Sequence, residues 1–180
     1  MHLPSFLIGL VLVAACVLPA RAMEVSFSTP HTSPELTATL AIDQPLYIEV
    51  AYTSDRQIRF QAQAFRNGEF VETGQTINAR LPQPTGKGSA LVWVKFREAA
   101  VVDEIRVIAF DAMKKPLAVR SLKANLRWND DLVADVDQPG WVTSLQEEQV
   151  RIDGLREQTT SGNNGVVDRF FGLLSGFVGG

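Results

Sequence analysis

The sequence predicts a mainly β fold, an antiparallel β-sandwich, followed by a C-terminal helical extension. Between residues 23 and 128, apolar and polar residues alternate with a period of two, which is typical of strands with one buried face. Turn residues separate these runs at short, regular intervals without helical patterns between them, which favours a sandwich over a parallel sheet. After Trp128 the sequence becomes acidic and then changes to helical spacing, which predicts the extension.

The alternation is clearest in three consecutive segments, each of which places its apolar residues on one face. These residues are Leu36, Ala38, Leu40 and Ile42, then Leu46, Ile48, Val50 and Tyr52, then Ile58, Phe60, Ala62 and Ala64. Asn67-Gly68 follows the third segment and predicts a tight hairpin, because both residues tolerate positive φ. Segments 91–94 and 105–110 are apolar on both faces, as central strands are. The proline- and glycine-containing segment 81–89 predicts a connection between sheets or a sheet edge.

The segment VDEIRVIAFDAMKKPLA, residues 102–118, resembles the late strand pair of bacterial immunoglobulin-like and fibronectin-III-like modules. In those modules a strand of pattern I-x-V-x-A-x-D runs into a polar turn, and the matching residues here are Ile105, Val107, Ala109 and Asp111. The turn departs from the usual Gly-Asn, and the inter-sheet disulfide of antibody domains is absent. The resemblance implies an immunoglobulin-like architecture, which many unrelated functions share.

The first 22 residues predict export. An apolar run over residues 6–18 precedes Ala20-Arg21-Ala22, an A-x-A cleavage pattern, so we predict a signal peptide over residues 1–22. The mature protein would then be periplasmic or secreted. An alternative comes from the sequence VAAC ending at Cys16, which resembles the lipobox of bacterial lipoproteins. Lipidation of Cys16 would anchor the protein to a membrane, whereas cleavage after Ala22 would leave the mature chain without cysteine.

Enzymatic and metal-binding signals are sparse. The mature chain keeps one histidine, His31, in a Pro- and Ser-rich segment, where we expect a solvated loop residue and not a catalytic base. Four aspartates, Asp130, Asp131, Asp135 and Asp137, lack the spacing of an EF-hand calcium loop, so residues 129–140 are predicted to be an acidic linker. The net charge of -3 and the absence of a Lys/Arg stripe argue against nucleic acid. We therefore predict a non-enzyme without cofactor or metal.

Aromatic residues suggest a second function, carbohydrate binding. Tyr47, Phe65, Phe70 and Trp93 are the candidates, together with the loop at residues 81–89. Trp93 lies in the most apolar strand and is expected in the core. Trp128 closes the last strand and Trp141 opens the helical region, so we expect these two rings to meet and fasten the helix to the sandwich.

The C-terminal region is predicted to contain two helical pieces. An amphipathic helix over residues 141–158 carries Trp141, Leu145, Ile152 and Leu155 at helical spacing, and Ser144 with Glu147 fits a capping box. Residues 159–165, TTSGNNG, are predicted to be a flexible polar linker. The apolar tail, residues 166–180, follows it.

The tail is the predicted docking element. Val167, Phe170, Phe171, Leu174, Phe177 and Val178 fall on one helical face, and Gly172, Gly176 and Gly180 repeat every four residues on another. Small residues at this spacing let a helix approach another backbone closely. The tail is too short to span a bilayer. We therefore predict an exported interaction or envelope-assembly module whose tail binds a protein partner, a second copy or a membrane surface.

Overall fold

The computed structural model describes residues 25–79, 81–134 and 137–175, and between residues 158 and 175 it describes the backbone without the side chains. Within these residues the chain forms strands and one helix. The strands are β1 (Val25–Ser28), β2 (Thr32–Ser33), β3 (Thr39–Ala41), β4 (Leu46–Ser54), β5 (Ile58–Arg66), β6 (Glu69–Phe70), β7 (Gln75–Ile77), β8 (Pro82–Gln83), β9 (Gly86–Phe96), β10 (Ala100–Phe110) and β11 (Pro116–Asn129). The helix is α1 (Gly140–Ser175).

The strands form two sheets, which confirms the predicted β-sandwich with a C-terminal helix. The first sheet has the order β1-β4-β9-β7, with β2 also paired to β4. The second sheet has the order β3-β11-β10-β5-β6, with β8 also paired to β5. The pairings are antiparallel except for β3 on β11, which is parallel. Three of the strands, β2, β6 and β8, have two residues each and are too short to show alternation.

The core lies between the two sheets and contains the residues that the alternation predicts. The largest fully buried side chains are Trp128, Phe60, Phe96, Leu40, Leu46, Ile48, Ile58, Ile105, Leu126, Val50, Val92 and Val94. Trp128 is 1% exposed; its ring centroid lies 4.7 Å from that of Phe96, and its Nε1 donates to the Gln44 carbonyl at 2.9 Å. Burying each such side chain stabilises the fold by about 1.5–3 kcal/mol.

Asn78 joins the two sheets at the place where the chain leaves the first sheet for the second. Its Nδ2 donates to the carbonyls of Phe60 and Ala79, at 3.3 and 2.9 Å. Its Oδ1 accepts from the backbone N–H groups of Ala62 in β5 and Trp93 in β9, at 3.4 and 3.2 Å. One buried amide thus supplies hydrogen-bond partners to backbone groups of both sheets that no neighbouring strand pairs with at this point.

The predicted turns are found where the sequence places them. Asn67 and Gly68 both have positive φ, 53° and 81°, between β5 and β6. Lys114 has φ 66° in the turn between β10 and β11, where the Asp111 carboxylate accepts from the Lys115 N–H at 2.8 Å. Residues 81–89 contain β8 of the second sheet and the start of β9 of the first, so this segment does connect the sheets.

The helix α1 differs in extent from the sequence prediction. It begins at Gly140, where the Pro139 carbonyl accepts from the Val142 N–H at 2.9 Å. Ser144 is therefore inside the helix, and its Oγ donates to the Gly140 carbonyl at 3.0 Å, so the predicted capping box is wrong. The helical backbone also continues across residues 159–165, where the sequence predicts a linker. That segment contains no proline, so every residue keeps the N–H that a helix needs.

The helix begins beside β9 on the outer face of the first sheet and then passes β8, which belongs to the second sheet. Val142 is fully buried, the Gln83 amide donates to Gln149 Oε1 at 2.7 Å, and the Arg156 guanidinium donates to the Pro82 carbonyl at 2.6 Å. Leu155, which the sequence places on the packing face, is 51% exposed. Successive residues turn by about 100° in a helix, so Leu155 points well away from the side that carries Val142, Gln149 and Arg156.

Candidate interaction surfaces

Tyr47 and Trp93 form an aromatic pair on the outer face of the first sheet. They are direct partners in the β4–β9 register. The prediction that Trp93 lies in the core is wrong. Its neighbours Val92 and Val94 point inward, and because strand side chains alternate, Trp93 points outward. The apolar character of both faces of β9 has a different cause: the sandwich interior covers one face and the helix lies on the other.

Two adjoining clefts surround this pair. One has a volume of about 430 Å³ and is lined by Asp43, Pro45, Tyr47, Trp93, Lys95 and Gln146. The other has a volume of about 410 Å³, shares Asp43, Pro45 and Tyr47, and extends along the segment before the helix to Asp137, Gln138 and Pro139. We refer to the two together as the Tyr47–Trp93 cleft.

Polar groups at the rim of the Tyr47–Trp93 cleft are held in place by one another. The Lys95 ammonium lies 2.8 Å from Asp43 Oδ1, and its hydrogen bond holds the pKa of that carboxyl below the usual range. Gln138 Nε2 donates to the Tyr47 hydroxyl at 2.6 Å. Gln146, on the first turns of α1, is exposed and lines the cleft. The cleft therefore offers aromatic surface beside a charge pair and two amides.

His31 is an exposed residue outside the strands, as predicted, and its ring has two defined contacts. Its Nδ1 lies 2.7 Å from Glu49 Oε2, and its ring centroid lies 6.1 Å from that of Trp141. Glu49 Oε1 accepts from the Ser89 hydroxyl at 2.9 Å. The carboxylate thus stands between histidine and serine, whereas nucleophile activation needs the histidine in contact with the hydroxyl. The arrangement fastens the start of the helix to the sheet.

The other tryptophan and aromatic predictions have mixed outcomes. Trp128 packs on Phe96 in the core and Trp141 against His31, so the expected contact between Trp128 and Trp141 is not formed. Phe65 and Phe70 pack edge to face on the second sheet, with centroids 5.7 Å apart. The Arg106 guanidinium lies 3.8 Å above the Phe65 ring. This ring is therefore already covered by a cation.

The acidic residues after Trp128 that the structure describes point into solvent. Asp130, Asp131 and Asp137 are exposed, and Asp135 lies outside the described residues. In the described part of the chain, no group of three or more His, Cys, Asp or Glu side chains could hold a metal ion.

The predicted docking residues of the tail fall partly within the helix. Val167, Phe170, Phe171, Gly172 and Leu174 are positions on the helical backbone of α1. Gly176, Phe177 and Val178 lie outside the described residues, as does Cys16, the possible lipidation site.

The rotation of about 100° per residue along α1 shows on which side of the helix these tail positions lie, relative to the side that contacts the sandwich. One side of α1 carries Val142, which is buried, and Leu145, Gln149, Ile152 and Arg156, which are partly buried. At about 100° per residue, the mean direction of positions 167, 170, 171 and 174 lies within about 10° of that side. The apolar tail positions therefore continue the line along which the helix meets the sandwich.

The described residues contain no helix that combines the length and the apolar character needed to cross a bilayer.

Sequence reasoning missed the polar rim of the Tyr47–Trp93 cleft. Tyr47 and Trp93 were noted as aromatic candidates, but their pairing depends on strand register, and Gln138 is 91 residues from Tyr47 in the chain. Asp43 has φ 63°, and its pairing with Lys95 likewise depends on the fold. The local sequence feature that could have indicated this rim is Asp43 itself, because aspartate tolerates positive φ and is typical of turns.

Comparisons with known proteins do not assign the chain to a family. No protein-family model matches the chain, and no curated protein matches it. Among solved structures, the crystal structure of the periplasmic chaperone SfaE is similar, with 13% identity and a TM-score of 0.36. The match covers 64% of this chain and 60% of the chaperone, so the chain spans about three fifths of that protein's length.

Proposed function

We propose that this protein is an exported, non-catalytic interaction module that binds a protein partner through the tail, residues 166–180. The observation that carries the proposal is the phase of α1: the apolar tail positions lie on the side of the helix that meets the sandwich. A partner seated on Val167, Phe170, Phe171 and Leu174 would therefore contact a surface continuous with the helix–sandwich interface.

The length of the helix supports a docking role. The 36 residues of α1 span about 54 Å, and the described contacts with the sandwich occur between Trp141 and Arg156. Apolar side chains at i, i+3, i+4 and i+7 are the anchors by which an amphipathic helix fits a hydrophobic groove. Gly172 starts the small-residue repeat beside them, which favours a helical or other closely approaching partner surface. We therefore commit to a protein, and not a lipid surface, as the occupant.

The test compares the full chain with deletion of residues 166–180 and with Phe170→Ser/Phe171→Ser. Val150→Ser is the matched control, because Val150 is an apolar residue of the same helix, 72% exposed, on a different side. Crosslinking in the exported fraction, followed by size-exclusion chromatography, should show a complex with the full chain and the control. The complex should be lost in both tail variants, while thermal unfolding of the sandwich is unchanged.

Three results would contradict this proposal. An unchanged complex after tail deletion would place the contact elsewhere. Self-association of the purified chain as the sole tail-dependent assembly would identify a second copy as the occupant. Tail-dependent sedimentation with liposomes, without a protein complex, would identify a lipid surface.

Export itself is tested by the intact mass of the mature protein. Processing after Ala22 gives a chain that begins at Met23 and lacks cysteine. An acylated N-terminus at Cys16 would instead support the lipoprotein alternative. A mass that includes residues 1–22 without modification would contradict export.

A further inference from the structure

We propose that the Tyr47–Trp93 cleft is a binding site for oligosaccharide, with the Trp93 ring as the platform for one pyranose unit. This inference stands on side chains of residues 43–146 and does not rest on the proposed function of the tail. The two adjoining clefts, of about 430 and 410 Å³, each fall within the range of about 300–1,000 Å³ that is typical of small-ligand sites.

The aromatic pair supplies the apolar half of such a site. Tyr47 and Trp93 are cross-strand partners on the outward face of β4 and β9, so the strand register fixes their side chains as neighbours on that face. An equatorially substituted pyranose carries its C–H groups on one flat face, which packs against an aromatic ring. Tyr and Trp combine an apolar ring with one polar group, so they suit a ligand that has an apolar face and hydroxyl groups exposed to solvent.

The rim supplies hydrogen-bonding groups of both kinds. A sugar hydroxyl donates one hydrogen bond and accepts others, so it needs acceptors and donors within reach. Asp43 offers carboxylate oxygens, Lys95 offers an ammonium, and Gln138 and Gln146 each offer an amide with both functions. The Lys95–Asp43 pair, 2.8 Å apart, is set before a ligand arrives, which lowers the ordering cost of binding.

A sugar fits this composition better than a proline-rich peptide does. Proline-rich segments dock in grooves lined by aromatic rings and use few polar partners. Here the aromatic pair is bordered by a charge pair and two amides, which a proline ring could not satisfy. Gln138 and Gln146 belong to the C-terminal extension, so the extension completes a site that the sandwich alone would leave open.

The measurement uses the full chain and the three tryptophan indole N–H signals in ¹H–¹⁵N spectra. The probes are soluble hexasaccharides of β-1,4-linked glucose and of β-1,4-linked N-acetylglucosamine, titrated to about 10 mM, a range that detects weak, millimolar binding. At least one probe should shift the Trp93 signal saturably, while the signal of buried Trp128 stays in place. The Trp93 signal is assigned by its loss in Trp93→Phe.

Variants decide whether the shift reports this cleft. Trp93→Ala should abolish binding, and the exposed Gln146→Ala should weaken it by about threefold or more, the equivalent of one hydrogen bond. Phe70→Ala is the matched control: it removes an aromatic that is 41% exposed on the second sheet and should leave affinity unchanged.

Four outcomes would overturn the proposal. One is the absence of any Trp93 shift with both hexasaccharides. A second is equal affinity in Gln146→Ala, which remains decisive even if Trp93→Ala fails to fold. A third is equal loss in Phe70→Ala. The last is saturable binding of a proline-rich decapeptide at the cleft in place of both sugars.

Discussion

The sandwich interior and the helix–sandwich interface are held together by different kinds of contact. In the interior, two sheets contribute nineteen buried side chains to one apolar cluster, and the amide of Asn78 satisfies backbone groups on both sides. At the helix interface, Val142 is the one fully buried apolar side chain of the described helix residues. The other described contacts there are the Trp141 ring beside His31 and two polar contacts, between Gln83 and Gln149 and between Arg156 and Pro82.

This difference predicts two units of unequal stability. Burial of apolar side chains is the dominant favourable term in folding, and hydrogen bonds at a surface add about 0.5–1.5 kcal/mol each. Gln83 Oε1 is also buried without a hydrogen-bond partner among the described residues, which weakens the interface further. We therefore expect the helix to detach locally at a lower free energy than the sandwich unfolds.

The largest effect should come from the sandwich core. Trp128→Ala removes a ring that packs on Phe96 and leaves the Gln44 carbonyl without its donor. We expect a loss of about 3–5 kcal/mol in the free energy of unfolding, measured by urea denaturation. Val142→Ala is the matched change at the helix interface, and about 1–2 kcal/mol should be lost there.

The two variants should also differ in where the loss appears. Val142→Ala should accelerate amide exchange in α1 while leaving the exchange of β4 and β9 unchanged. Equal acceleration in the helix and in both strands would contradict the division into two units, because it would mean that helix and sandwich open together.

The second largest effect concerns a close contact inside the sandwich. A Cβ on Gly88 would lie 2.7 Å from the Tyr52 hydroxyl oxygen and 2.9 Å from its Cζ. Tyr52 is buried and packs against Phe60, so admitting the new Cβ requires this packed ring to shift. Gly88→Ala should therefore cost about 1–3 kcal/mol, measured by thermal unfolding.

A double-mutant cycle checks the cause of that loss. When Tyr52 is replaced by valine, the Gly88→Ala step should cost less, because the ring that the new methyl group meets is gone. An identical cost in both backgrounds would show that the contact with Tyr52 is not responsible.

The same contrast explains which features the sequence alone could predict. The two-residue period identified the core faces of β4 and β5, since residues such as Ile48 and Phe60 need a buried side wherever the strand lies. It misplaced Trp93 because alternation cannot distinguish the sandwich interior from a helix packed on the outer face. The rim of the Tyr47–Trp93 cleft escaped prediction because Lys95, Gln138 and Gln146 meet only through strand register and helix placement.

A smaller effect of opposite sign is expected in the helix. Gly154 lies within α1, and a Cβ at this position would meet no atom within 4 Å. Gly154→Ala should stabilise the helix by about 0.5–1 kcal/mol, because alanine has less backbone freedom to lose. Amide exchange in α1 should slow, while the urea midpoint of the sandwich stays constant. A rise in that midpoint would indicate that helix and sandwich unfold as one unit.

The smallest expected effect is electrostatic. It concerns how the stability of the sandwich and that of the helix each depend on pH. Hydrogen bonds from Arg106 and Ser121 lower the pKa of Glu104, on the second sheet, to about 2 from its ordinary value of 4.5. A carboxyl with a depressed pKa in the folded state stabilises the protein above pH 4.5 and loses that contribution as the pH falls from 4.5 to about 2. Solvent screening keeps the contribution small.

Glu104→Gln should therefore flatten the decline of the unfolding free energy between pH 4.5 and 2. Glu148→Gln is the control on the helix, where a hydrogen bond from Arg151 lowers the pKa of Glu148. This second change should alter the pH dependence of amide exchange in α1 and leave the sandwich transition as it was. If Glu148→Gln flattened the sandwich transition as much as Glu104→Gln does, the carboxylates of helix and sheet would be stabilising a single cooperative unit.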